Sequence, residues 1–82
     1  MMDKQKFYKR ELRDSVKYIH VLHMADEVDA EVLLVHIATP DYLSEYKLSW
    51  VTAKWERWTP ISKQEFFAAM AEYAAIAAEL GN

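Results

Sequence analysis

The chain has 82 residues, a net charge of −3 and a 52% hydrophobic content that includes three Trp, five Tyr and three Phe. That composition is far too apolar for a disordered segment, and its length suits one domain spanning residues 1–82. With no cysteine and a single glycine, disulfides, zinc-thiolate sites and glycine-rich phosphate loops are excluded.

Charge is laid out in blocks. Lys4, Lys6, Lys9, Arg10, Arg13 and Lys17 outnumber the acids of the opening segment, whereas Asp26, Glu27, Asp29, Glu31, Asp41 and Glu45 have no cationic neighbour between Tyr18 and Tyr46. A second basic patch follows in Lys47, Lys54, Arg57 and Lys63. A surface toned in this way favours oriented contact with a partner or with another copy of the chain.

The opening stretch from Asp3 to Asp14, with Phe7, Tyr8 and Leu12 toward one side, reads as a short helix. Its charge and lack of an apolar core read against a secretory leader, and no apolar run reaches membrane-spanning length, so a cytoplasmic location is expected. Val16 to Met24 and Glu31 to Thr39 are rich in β-branched and aromatic residues and read as a β-hairpin around the polar segment Ala25 to Ala30. The second run is apolar on both faces, as in a central strand covered on both sides. After the break at Thr39-Pro40-Asp41, Tyr46 to Trp58 gives a third strand, with Leu48, Trp50 and Thr52 on one face.

Ser62 followed by Glu65 is a capping box, and Gly81 suits the position that ends a helix, so a helix is expected from about Ser62 to Leu80. Glu65, Glu72 and Glu79 mark one narrow polar stripe, and most of the remaining circumference is apolar. An ordinary surface helix shows an apolar stripe a little over ~100° wide, so the excess suggests self-association through Phe67, Met70, Ala74 and Ala77.

The expected fold is α+β: a short N-terminal helix, a three-stranded antiparallel sheet and a long C-terminal helix packed on it. An all-α bundle competes, because Leu48, Val51, Trp55 and Trp58 also fit helical spacing and glycine for tight turns is scarce.

Candidate chemistry is thin. His20 and His36 fall opposite each other if the hairpin centres near Val28, with His23 on the other face, but two imidazoles without a third ligand make a poor metal site. No serine or threonine sits in a turn that would present it beside a base. No catalytic residue, metal site or cofactor is therefore expected. The most suggestive segment interleaves Trp50, Trp55 and Trp58 with Lys54 and Arg57, the composition of a protein-interface hot spot. The simplest reading of the same residues is plain core, and a stacking platform for single-stranded nucleic acid is the alternative function, disfavoured by the acidic total charge.

The function expected is therefore a small non-catalytic protein-protein interaction domain that forms a homodimer and uses Trp50, Lys54, Trp55, Arg57 and Trp58 toward a protein partner. Inhibitors and accessory subunits of phage or mobile-element origin have this character.

Overall fold

The structure, a computed structural model, describes residues 6–38, 45–52 and 54–80. Among the described residues, five strands, β1 (Phe7–Glu11), β2 (Val16–Met24), β3 (Asp29–Ile37), β4 (Glu45–Thr52) and β5 (Thr59–Pro60), precede one α-helix, α1 (Lys63–Leu80). The strands form one antiparallel sheet in the order β4-β3-β2-β1-β5. The fold is α+β, as the residue pattern implies.

The connections close without glycine: no described residue has a positive φ. Between β1 and β2 the Leu12 amide donates to the Ser15 carbonyl at 2.8 Å. Between β2 and β3 the Ala25 amide donates to the Asp29 carbonyl at 2.8 Å. There the carboxylate of Asp26 accepts from the amides of Val28 (2.8 Å) and Asp29 (2.9 Å), a side-chain turn that replaces the missing glycine. These two bonds hold the Asp26 carboxyl below its usual range.

Both sheet faces carry core. On one face Phe66 of α1 packs with Val35 and Ile61, flanked by Phe7, Tyr18, Leu33, Ile37, Met70 and Tyr73. On the other, Ile19, Ala30, Val32 and Leu34 lie beneath Tyr8, Val21, Val51, Trp55 and Trp58. The second layer follows from topology. β4 and β5 are opposite edges of the sheet, so the chain between them passes over the sheet, and Trp55 and Trp58 lie on the face that α1 does not cover. A 3-10 turn, Trp55–Arg57, forms on the way.

Three sequence expectations are corrected. The segment expected as an N-terminal helix is strand β1 over its described part: its apolar residues alternate, Phe7 meeting Phe66 below α1 at 5.4 Å and Tyr8 meeting Trp55 on the far face at 4.9 Å. A strand covered on both sides carries adjacent apolar residues, and these imitate helical spacing. The sheet has five strands instead of the expected three, because the apolar spacing of β1 also fits a helix and two-residue β5 is too short to leave a pattern. The strand expected to run to Trp58 ends at Thr52. Of the helix, Gly81 lies outside the described residues, but the cap is in place: the Glu65 amide donates to Ser62 Oγ at 3.0 Å. The Glu65 carboxylate pairs with Lys9 of β1 at 3.4 Å, tying helix to sheet.

Candidate interaction surface

A helix with its side chains is about 10–12 Å wide, and strands are about 4.8 Å apart. One helix therefore covers two or three strands of a five-stranded sheet. α1 lies over β1, β2 and β3, and Tyr73 reaches toward β4, its ring centroid 6.0 Å from that of Tyr46. The next residues on that face of β4, Leu48 and Trp50, are more than half exposed. In the register of β3 and β4, Tyr46 lies beside Val35, Leu48 beside Leu33 and Trp50 beside Glu31. Tyr46 is 42% exposed, Leu48 58% and Trp50 55%. They form a row of large apolar side chains on an edge strand, at the period of two that places alternate residues on one face.

The opposite face of β4 is polar at its first two positions. Lys47 Nζ is 2.7 Å from Glu45 Oε2, a bond that holds the Glu45 carboxyl below its usual range. Further along, Val51 packs against the core under the crossing chain, while Thr52, back on the face of the apolar row, donates its hydroxyl to Asp29 Oδ1 at 2.6 Å.

Among the residues expected to bind a partner, Trp50 belongs to this exposed row. Lys54 and Arg57 are also exposed, on the crossing segment. Trp55 and Trp58 are not beside Trp50. They pack on the other face, where the Trp55 indole N–H donates to the Glu27 carbonyl at 3.0 Å. The three indoles therefore form no common stacking row. Among the residues expected to self-associate, Phe67 and Ala74 are exposed, whereas Met70 and Ala77 are half-buried and Met70 packs against the sheet core. The apolar excess of α1 is mostly exposed alanine, which costs little to leave in water. The larger exposed apolar side chains are on β4; the sequence pattern sets Leu48 on one face with Trp50, but neither Leu48 nor Tyr46 was expected to make a contact. A readable signal existed in the alternation of Tyr46, Leu48 and Trp50.

The histidines do not meet. His20 lies opposite Leu33 and His36 opposite Lys17, because the hairpin turns on Asp26 instead of centring near Val28, and a register shift follows between Val21 and His23. His20 stacks on Phe7 at 4.4 Å and meets Phe66 edge-on at 5.7 Å. Burial first, then the charges of Lys6 and Lys63, hold its imidazole below the ordinary value of 6.5. A histidine with a depressed folded pKa binds fewer protons folded than unfolded. Its contribution is thus fully present above about 6.5 and is lost as pH falls below that value toward the folded pKa. The melting temperature should fall between pH 7.5 and pH 5.5, and His20→Gln should flatten that fall in a thermal scan. His36 Nδ1 lies 3.9 Å from Glu45 Oε1, and its Nε2 is buried without a hydrogen-bond partner among the described residues.

An open groove of about 790 Å³ lies near the β2-β3 turn, between Tyr8, Trp55, Leu22 and Met24. Two polar groups on its wall are engaged within the chain, the Asp26 carboxylate by the turn amides and the Glu27 carbonyl by Trp55. Among the described residues no three His, Asp or Glu side chains converge as metal ligands, and no helix is long and apolar enough to cross a membrane. No protein-family model matches the sequence, and comparisons with curated proteins and with solved structures give no match either.

Proposed function

We propose that this chain is a small non-catalytic protein-protein interaction module that associates with a second copy of itself, in the cytoplasm. The observation that carries the reading is the uncovered row Tyr46, Leu48 and Trp50 on an edge strand. Contiguous exposed apolar surface on a small domain marks an interaction site, and an edge strand adds unpaired backbone groups that another strand can take up. Trp and Tyr are the residue types that dominate interface energetics. Exposed Lys54 and Arg57 remain available to a further protein partner, the role an accessory subunit or inhibitor would need.

Leu48→Lys tests the reading. The side chain is more than half exposed, so the substitution should leave the circular dichroism spectrum and melting temperature close to wild type. It places an ammonium at the centre of the apolar row. Light scattering after size exclusion should return a two-copy particle for wild type and a single 9.6 kDa chain for Leu48→Lys. A variant that stays two-copy would show that the row is not the contact.

A further inference from the structure

The two edges of the sheet are guarded differently. β5 is two residues long and includes Pro60, which has no amide to offer. β4 is eight residues long, without Pro, Gly or a register shift against β3. Natural sheets protect long edges with lysine, proline or bulges. The only lysine on β4, Lys47, is neutralised within its own strand by Glu45. Among the described residues, one edge is closed to pairing and the other is open.

From this, and resting on the self-association proposed above, we infer that two copies join β4 to β4 in antiparallel pairing with Leu48 on the two-fold axis, extending the sheet from five strands to ten. The occupant is a second copy because the strand matches itself reversed. Tyr46-Lys47-Leu48-Ser49-Trp50 reads aromatic, polar, leucine, polar, aromatic in either direction. A two-fold antiparallel pair always places a residue opposite one of the same parity, so the uncovered faces of both copies fall on the same side. Centred on Leu48, the pairing sets leucine against leucine, Tyr46 against Trp50 twice, and Lys47 against Ser49 twice. Aromatic pairs directly across a strand pair are among the favourable ones. Glu45 falls opposite Val51, its carboxylate held back along its own strand by Lys47.

The neighbouring registers are poorer. Centring on Lys47 sets two ammonium groups directly opposite each other, which is destabilising. Centring on Ser49 sets Lys47 against Val51 and Tyr46 against Thr52, so that aromatic no longer meets aromatic. Leu48 at the axis is the arrangement that matches apolar with apolar on one face and keeps the lysines apart.

Since the chain has no cysteine, single replacements give one thiol per copy. Leu48→Cys, Lys47→Cys and Ser49→Cys, with Leu22→Cys on the exposed hairpin as control, are oxidised mildly and followed on non-reducing gels, with wild-type sedimentation in parallel. Directly opposed residues have Cα atoms about 4.5–5.5 Å apart, and diagonal neighbours are about 7–8 Å apart. A disulfide spans about 4.4–6.8 Å, so Leu48→Cys should cross-link roughly tenfold faster than either neighbour. A faster reaction at Ser49→Cys or Lys47→Cys would overturn the register. If wild type sediments as two copies but no β4 variant exceeds Leu22→Cys, the contact lies elsewhere, and the strand pairing is wrong while self-association stands. If wild type sediments as one copy, both fall together.

Discussion

Phe66→Ala should lower stability by about 3–5 kcal/mol, the cost of emptying a fully buried aromatic site. Phe66 is the largest fully buried side chain, with 0% exposure, at the point where α1 meets the sheet. Its ring lies 5.4 Å from Phe7, 5.7 Å from His20 and 5.7 Å from Phe67, over Val35 and Ile61. A domain of this length has roughly 4–12 kcal/mol of total stability, so the change removes a large share of it. The melting temperature should fall by more than about 12 °C. Phe67→Ala, one position on and nearly half exposed, should stay within about 1 kcal/mol of wild type. Thermal melts of the two variants separate helix anchoring from generic loss of an aromatic ring. Equal melting temperatures would refute the packing of α1 described above.

Trp55→Ala should cost about 2–3 kcal/mol, less than a full core deletion because the indole is only partly buried. The loss has two sources. The ring covers the second core against Tyr8, at 4.9 Å, and its N–H satisfies the Glu27 carbonyl at 3.0 Å. The same indole pins the segment that crosses from β4 to β5. Trp55→Phe keeps much of the cover and loses the hydrogen bond, so it should cost about 1 kcal/mol. Urea unfolding measures both. If Trp55→Ala were as stable as wild type, Trp55 would be a recognition residue instead of the lid of the second core.

Elements whose signal is local were legible in the sequence. Ser62 caps α1 because a hydroxyl three residues before Glu65 can reach its amide whatever the rest of the fold does. β2 and β3 were legible from their β-branched runs, and the two-sided apolar pattern of Leu33, Leu34 and Val35 marked an interior strand with core on both faces. β1 was misread because its two apolar neighbours face two different layers, Phe66 and Trp55, that only the tertiary fold supplies. The hairpin register slipped because Asp26 sets the turn through two side-chain bonds, which composition alone does not locate. At the candidate surface, Trp50 was identified and Tyr46 and Leu48 were not. The apolar excess was assigned to α1, where circumference can be counted from sequence. It lies mainly on β4, because one helix is too narrow for five strands, and the width of the sheet emerges only once β1 and β5 are in place.

The pairing proposed above closes the open edge and apolar row of β4 with a second copy. Sedimentation equilibrium of the wild-type chain, run from low to high micromolar concentration, tests it most directly. The expected result is a mass rising to twice the 9.6 kDa of one chain. A mass that stays at one chain throughout that range would contradict it.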